Sequence, residues 1–130
     1  AEATAEGADT IAGFESVVGG SGRDILRGNG GANTLIGNGG NDRLIGRGGD
    51  DILDGGDGDD RLFDGRGNDD IHAGDGDDYI ESSNGNDTIE GYSGRDTMSF
   101  RQAVRGIRLR ANASPSTISE QVGRFLIIEI

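Results

Sequence analysis

The sequence contains no cysteine, no tryptophan and no lysine, and only one proline, one histidine and one methionine among its 130 residues. Without cysteine there can be no disulfide bonds and no thiol chemistry. Hydrophobic residues make up only 32% of the chain and aromatic residues only 5%. Few apolar side chains are therefore available to offset the conformational entropy that the chain loses on folding. Something beyond a hydrophobic core must hold this chain together.

The charge balance excludes several classes of partner. Aspartate and glutamate together number 24 against 12 arginines, which gives a net charge of −12. Such an acidic chain argues against binding to nucleic acid or to an anionic membrane, and it favours multivalent cations. The longest aliphatic run, at Phe125–Ile128, is far too short to span a bilayer. We therefore expect one acidic domain, or a piece of a longer protein, with no nucleic-acid partner and no transmembrane segment.

Glycine is abundant, with 26 residues, and its placement is periodic. Residues 19–99 divide without remainder into nine units of nine residues. The fourth position of every unit is glycine: Gly22, Gly31, Gly40, Gly49, Gly58, Gly67, Gly76, Gly85 and Gly94. The sixth position is aspartate in eight units and asparagine in one: Asp24, Asn33, Asp42, Asp51, Asp60, Asp69, Asp78, Asp87 and Asp96. The eighth position is always a large apolar residue, so three fixed columns indicate an internal repeat.

The pattern GGxGxDxUx, with U a large apolar residue, resembles the calcium-binding nonapeptide repeats of the RTX (repeats-in-toxin) family. The resemblance covers 81 of the 130 residues. It implies an all-β fold, a parallel β-roll (a right-handed β-solenoid) in which two units form one coil. Two departures from the pattern stand out. Asn33 lacks the charge of the sixth-position ligand, and Asp64, Ala73 and Ser82 replace the first glycine of units six to eight.

Each unit is predicted to form a turn followed by a short strand. The glycine-rich first six residues suit a turn, and the last three suit a minimal strand whose middle residue, at position eight, points inward. One inward residue in nine can enclose a core only if two rows face each other. One row comprises Leu26, Leu44, Leu62, Ile80 and Met98. The facing row comprises Leu35, Leu53, Ile71 and Ile89.

Calcium prefers six to eight oxygen ligands, drawn from carboxylates and main-chain carbonyls. One turn offers a single carboxylate, at position six, and several carbonyls around the fourth-position glycine, which is about half of a coordination shell. The turn stacked next to it, two units along the chain, must supply the other half. This reasoning predicts about seven calcium sites at the pairs Asp24/Asp42, Asp42/Asp60, Asp60/Asp78, Asp78/Asp96, Asn33/Asp51, Asp51/Asp69 and Asp69/Asp87. Glu15 with Asn33 would add a defective eighth.

Two segments flank the array of residues 19–99. Residues 1–18 form a lead-in that contains a degraded tenth unit, with Gly13, Glu15 and Val17 in the three fixed columns. Residues 100–130 hold five arginines and two glutamates, a net charge of +3. This segment is expected to form a β-strand C-terminal cap, with strands at 104–110 and 124–130 and a loop at 112–119.

The resemblance implies a calcium-binding module of a larger bacterial toxin, hydrolase or adhesin. Such a module is exported by type I secretion machinery and folds on meeting extracellular Ca²⁺; we expect a monomer. We expect no catalysis in this chain, because no acid/base or nucleophile–base pair stands apart from the repeat columns, and His72 lies at an outward ninth position. The alternative is a module that binds a ligand or polysaccharide for an attached enzyme or adhesin. Phe63 and Tyr79, with Arg43 and Arg61, fall on outward positions of one face.

Overall fold

The structure, a computed structural model, describes the backbone of residues 2–4, 10–12, 15–100, 107–110, 117–120 and 126–129, and the side chains of residues 15–100. All regular structure in these ranges is β-strand, which confirms the predicted all-β fold. Within the described part of the chain no helix is long and apolar enough to cross a membrane.

The strands form two parallel sheets that take alternate units of the repeat. The first sheet contains eight strands in spatial order: β1 (Glu2–Thr4), β3 (Ser16–Val18), β5 (Thr34–Ile36), β7 (Ile52–Asp57), β9 (Asp70–Asp75), β11 (Thr88–Ser93), β13 (Ile107–Arg110) and β15 (Leu126–Glu129). The second contains seven: β14 (Thr117–Glu120), β12 (Thr97–Ser99), β10 (Tyr79–Glu81), β8 (Arg61–Arg66), β6 (Arg43–Gly48), β4 (Ile25–Arg27) and β2 (Thr10–Ala12). Successive strands alternate between the sheets, and each pairs in parallel with the strand two units away. The chain therefore winds as the predicted β-roll.

The core consists of the two predicted rows of eighth-position residues. Leu26 pairs with Leu44 in one sheet, and Leu35 pairs with Leu53 in the other. All nine of these side chains are at most 1% exposed. Val17 is also fully buried and pairs with Leu35, as expected of a degraded tenth unit. Of the other two residues that define that unit's pattern, Glu15 is described and exposed, and Gly13 lies outside the described residues.

Burial recurs at three positions of each unit rather than at one. Because side chains alternate along a strand, positions six, eight and one of the next unit all point inward. Glycine at position one leaves room for the sixth-position aspartate of its own unit. A Cβ on Gly37 would lie 2.6 Å from Oδ2 of Asp42, and a Cβ on Gly55 would lie 2.7 Å from Oδ2 of Asp60. Glycine at the first position thus avoids close contact with this carboxylate and with a main-chain carbonyl of the next coil, although Asp64, Ala73 and Ser82 occupy the position in units six to eight.

Several strands of the array are longer than the three residues predicted. β6, β7, β8, β9 and β11 each contain six residues, from position seven of one unit to position three of the next. Pairs such as Gly56 with Gly74 and Asp57 with Asp75 continue the ladder between coils. The six-residue turn was therefore wrong for these units, whose turns are confined to positions four to six.

The array is extended at its C-terminal end by three strands that continue both sheets. β13 pairs with β11, β14 with β12, and β15 with β13, all in parallel. The loop expected at 112–119 was too long, because residues 117–119 belong to β14. Phe100, at position one after the ninth unit, is 1% exposed and joins the core. The side chains of 101–130 lie outside the described residues, so their role as a cap stays a prediction.

Candidate metal centre

The sixth-position side chains form two buried columns. In each column, every residue immediately precedes a strand of the same sheet. Those that precede strands of the second sheet are Asp24, Asp42, Asp60, Asp78 and Asp96. Those that precede strands of the first sheet are Asn33, Asp51, Asp69 and Asp87. Every one of them is at most 3% exposed. They point inward because each lies two residues before an inward apolar residue, on the same side of the extended chain.

Hydrogen bonds between neighbouring coils hold each column in register. The N–H of Asp42 donates to Oδ1 of Asp60 at 2.7 Å, and the N–H of Asp60 donates to Oδ1 of Asp78 at 2.8 Å. The same bond, at 2.7–3.2 Å, joins all seven predicted pairs: Asp24/Asp42, Asp42/Asp60, Asp60/Asp78, Asp78/Asp96, Asn33/Asp51, Asp51/Asp69 and Asp69/Asp87. The structure thus brings the predicted partners together, and their role as metal ligands stays a prediction. The side chain of Glu15 is exposed, unlike the buried column residues.

The second carboxylate oxygen of the interior aspartates is buried and lacks a hydrogen-bond donor within the described residues. These atoms are Oδ2 of Asp42, Asp51, Asp60, Asp69 and Asp78. A buried acceptor without a partner costs about 1–3 kcal/mol, and a charged one costs more. A hard cation such as Ca²⁺, which binds carboxylate and carbonyl oxygens, would satisfy these atoms. The donor set of each column therefore fits calcium.

Burial raises the pKa of the same carboxyl groups. Desolvation raises the pKa of Asp42 and Asp51 to about 6, although backbone hydrogen bonds lower it. The pKa of Asp60, Asp69 and Asp78 rises to about 7, mainly through desolvation and further through repulsion by neighbouring aspartates. Without a cation, the columns therefore resist full ionisation near neutral pH. A bound cation favours the charged form and would reverse this effect.

The turns of successive coils approach one another closely at the fourth-position glycines. Gly58 has φ of +121°, and a Cβ on it would collide with the carbonyl oxygen of Gly40 in the preceding coil. Gly76 stands in the same relation to the carbonyl oxygen of Gly58. The contact repeats along both edges, so all nine predicted glycines lie in two stacks: Gly22, Gly40, Gly58, Gly76 and Gly94 in one, and Gly31, Gly49, Gly67 and Gly85 in the other. Main-chain carbonyls of one turn therefore face the next turn, as a site shared between turns requires.

A second ladder runs along position five, outside the buried columns. The N–H of Asp77 donates to Oδ1 of Asp59 at 2.9 Å, and the N–H of Asn68 donates to Oδ1 of Asp50 at 2.9 Å. These side chains are exposed, so they tie the coils together at the surface. Sequence reasoning missed this ladder because position five varies along the array. The frequent Asp and Asn at that position are the signal that could have revealed it.

One cluster of carboxylates departs from the regular columns. Asp64, at position one of unit six, is fully buried, and its carboxylate lies with those of Asp69 and Asp87 so that ligand oxygens of all three are within 4.8 Å of one another. The hydroxyl of Ser82 donates to Oδ2 of Asp87 at 2.8 Å. Desolvation, followed by the charge of Asp87, raises the pKa of Asp64 to about 8. Sequence reasoning treated Asp64 only as a lost glycine, because it did not recognise that position one points inward.

His72 lies on the outer face of the first sheet, as its position predicts, but within a network of side chains. Its Nδ1 is 2.9 Å from the hydroxyl of Tyr92, and its Nε2 is 3.1 Å from Oδ1 of Asp70. The rings of His72 and Tyr92 stack with centroids 5.8 Å apart. Hydrogen bonding to Glu90 and burial raise the pKa of Tyr92 to about 12. The network ties β9 to β11 across the sheet surface.

The outer face of the second sheet carries arginine and aromatic side chains. The guanidinium carbon of Arg43 lies 5.0 Å from the ring centroid of Phe63. The rings of Phe63 and Tyr79 are tilted, with centroids 6.2 Å apart. A groove of about 630 Å³ on this side is lined by Arg23, Arg43, Arg61, Arg95 and Tyr79, among other residues. The same groove is also lined by Asp42, Asp59, Asp60, Asp77 and Asp78, so it combines positive and negative side chains.

Comparison with known families gives a match that spans the array. The sequence model of the RTX calcium-binding nonapeptide repeat (4 copies) matches the overlapping residues 9–44, 18–53, 45–80, 54–89 and 72–100. The matches cover more than half of the chain, including all nine units and part of the lead-in. Comparison with curated proteins and with solved structures found no match.

Proposed function

This chain belongs to the RTX calcium-binding nonapeptide repeat family, and from that premise we propose that it folds on binding calcium outside the cell and so supports the secretion and stability of a larger protein. The β-roll of this family is a structural calcium-binding module rather than a catalytic one. The observation that carries the proposal is the pair of buried aspartate columns. Their seven hydrogen-bonded pairs leave interior Oδ2 atoms without a donor in the described part of the chain.

The ions would lie between successive turns, held by the sixth-position carboxylates and by carbonyls near the fourth-position glycines. Bound calcium would satisfy the interior Oδ2 atoms and cancel the repulsion between stacked carboxylates. Asn33 supplies an oxygen but no charge, so its pair with Asp51 would be the weakest of the seven. Calcium would therefore contribute stability that this chain, of which only 32% is hydrophobic, cannot draw from its core alone.

Calcium affinity would also set where the chain folds. Extracellular calcium modules bind with dissociation constants of about 10⁻⁴–10⁻³ M, so they remain empty in a cytosol and fill outside the cell. An array that is unfolded without calcium would enter the channel of type I secretion machinery as an extended chain. It would then fold, as a monomer, once it reached the extracellular calcium. Membership of the family supports the further proposal that the chain is part of a secreted bacterial toxin, hydrolase or adhesin.

Far-ultraviolet circular dichroism tests the proposal. In excess chelator the full chain should show little β signal, and millimolar calcium should produce a cooperative rise. Magnesium should not replace calcium, because it demands a smaller and stricter octahedral shell. A chain that is fully folded in chelator, or that responds equally to both cations, would contradict calcium-coupled folding.

A second candidate function is the binding of an acidic polysaccharide, and the row of arginine and aromatic side chains on the outer face of the second sheet favours it. Arg43 and Arg61 are register partners on adjacent strands, and Tyr79 follows Arg61 in the same row. Such a row would place guanidinium groups and an aromatic ring along an extended anionic chain. A glycan array probed with the calcium-loaded protein tests this candidate. Binding to acidic glycans that is lost in Arg43→Ala and Arg61→Ala supports it, and binding that these changes leave intact contradicts it.

A further inference from the structure

Asp64 places a carboxylate where most units of the array have no side chain. In unit four a Cβ on the first glycine, Gly46, would lie 2.5 Å from Oδ2 of Asp51. In unit five the corresponding distance, from Gly55 to Oδ2 of Asp60, is 2.7 Å. The first position therefore lies directly beside the Oδ2 atoms that the calcium proposal uses. Asp64 sits at this position in unit six, where its neighbour in the same unit is Asp69.

The two oxygens of Asp64 have different surroundings. Oδ1 accepts hydrogen bonds from the N–H of Gly65 at 2.5 Å and the N–H of Ser83 at 3.0 Å. Oδ2 is buried and has no hydrogen-bond donor within the described residues. The residue as a whole is 0% exposed. The main chain thus fixes the carboxylate by one oxygen and leaves the other in a closed interior.

The distances within the cluster suit a single divalent cation. Ligand oxygens of Asp64, Asp69 and Asp87 all lie within 4.8 Å of one another. Two oxygens that bind one Ca²⁺ at about 2.3–2.6 Å can be at most about 5 Å apart. The hydroxyl of Ser82 donates to Oδ2 of Asp87 at 2.8 Å and helps to fix that carboxylate. The group is therefore held by other parts of the chain at a spacing that an ion can bridge.

We propose that Asp64, Asp69 and Asp87 together bind one calcium ion, and that this site is the tightest in the array and fills first. The inference rests on the proposed function, which already assigns Asp69 and Asp87 as a pair. Asp64 adds a third carboxylate, whereas the other predicted pairs supply two carboxylates, or one where Asn33 takes part. Calcium affinity rises with the number of charged ligands and with the rigidity of the site. Its position in units six and eight places it toward the C-terminal half of the array.

Two substitutions at Asp64 and one matched control test the site in the full chain. Asp64→Asn keeps the Oδ1 acceptor and the shape of the side chain but removes the charge, and Asp64→Gly restores the glycine of the repeat. Ala73→Gly restores glycine at the equivalent position of the next unit without changing charge. We expect both Asp64 changes to raise the calcium midpoint of folding several-fold. Ala73→Gly should shift that midpoint by much less.

Whether the calcium midpoint of folding rises or falls in the two Asp64 variants shows whether an ion binds at this site. If no ion bound there, removing one of three buried like charges would stabilise the fold, and both changes would lower the midpoint or leave it unchanged. If Asp64 mattered only through its hydrogen bonds to Gly65 and Ser83, Asp64→Asn would behave as the unchanged chain. Either result overturns the inference. Failure of the proposed function would be visible separately, as a lack of calcium response in the unchanged chain.

Equilibrium dialysis with calcium gives an independent count of the bound ions and of their affinities. The unchanged chain should bind one calcium ion about tenfold more tightly than the others. The Asp64→Asn variant should lack this tightly bound ion and should bind the remaining ions only at the higher calcium concentrations that they require. Ala73→Asp should create a second tight ion beside Asp78 and Asp96. A single affinity class in both the unchanged chain and Asp64→Asn would contradict the site.

Discussion

At the scale of single residues, Asp60 is one of five sixth-position aspartates that each take part in two predicted calcium sites. Its Oδ1 accepts the N–H of Asp42, and its own N–H donates to Asp78, so it belongs to two predicted sites. Asn33 belongs to one regular site and contributes no charge. Hydrogen bonds to charged groups are worth about 1.5–3 kcal/mol, so we expect Asp60→Ala to raise the calcium midpoint by roughly tenfold or to abolish folding. Asn33→Ala should raise it far less.

Calcium titrations followed by circular dichroism, with both variants at equal concentration, provide the measurement. Equal shifts for the two variants would contradict the pairing of each unit with the unit two places along the chain.

Arg47 occupies a backbone conformation that suits glycine. It lies at position two of unit four with φ of +84°, whereas four other units have glycine at that position. A non-glycine residue in the left-handed region costs about 1–2 kcal/mol, and glycine costs about 0.5–1 kcal/mol through the entropy of the unfolded chain. Arg47→Gly should therefore raise the free energy of unfolding by up to about 1 kcal/mol.

Arg66 is the matched control for this change. It is also an exposed arginine in a six-residue strand, but it is not among the residues with positive φ. Arg66→Gly should lower the free energy of unfolding by about 0.5–1 kcal/mol, because glycine makes the unfolded chain more flexible and relieves no strain at this position. Urea unfolding in saturating calcium compares the two variants, and shifts of the same sign would show that the strain at Arg47 is not relieved.

At the scale of elements, each buried column titrates differently in the folded and unfolded chain. The pKa of Asp60, Asp69 and Asp78 is about 7 in the calcium-free fold, against a value of 3.8 for an unperturbed carboxyl group. The fold therefore binds more protons than the unfolded chain between about pH 4 and pH 7, and its stability falls as pH rises through that window. In chelator, lowering the pH from 8 to 5 should increase the β signal. A signal that stays flat or decreases would mean that the columns are not buried without calcium.

The same columns show which elements could be predicted from the sequence. The rows of Leu26 and Leu35 were predictable, because an apolar residue recurs at one position of every unit. The pairing of Asp42 with Asp60 was predictable, because one turn supplies only half of a calcium shell. The six-residue strands were not, since positions one to three vary and their pairing uses main-chain atoms alone. The inward direction of position one was overlooked, because the glycine found there in most units has no side chain to draw attention to it.

That gap explains why the environment of Asp64 was missed. Counting the alternation of a strand onward from an inward eighth residue reaches position one of the next unit, which is also inward. Applied to unit six, this count would have placed a carboxylate in the interior. It could not have given the distances to Asp69 and Asp87, which depend on how the coils stack.

At the scale of the whole molecule, the two ends of the solenoid differ in what is stacked on them. At the C-terminal end β13 and β14 pair with β11 and β12, and β15 pairs with β13. At the other end, the part of residues 1–9 that the structure describes is strand β1, which pairs with β3. Each coil contacts only its neighbours, so the first coil to form lacks the support of a preceding one. The apolar content of the C-terminal segment would lower that barrier, and this segment would be the first to meet calcium if export begins at the C-terminus.

We therefore expect removal of residues 101–130 to raise the calcium midpoint or to abolish folding, since it uncovers the edges of β11 and β12. Removal of residues 1–9 should have a much smaller effect, because it uncovers one edge and leaves β2 paired with β4. Calcium titrations of the two truncated chains, beside the full chain, measure both effects. If the C-terminal truncation folds at the same calcium concentration as the full chain, the array nucleates within its own repeats. If the N-terminal truncation has the larger effect, folding begins at the opposite end from the one proposed.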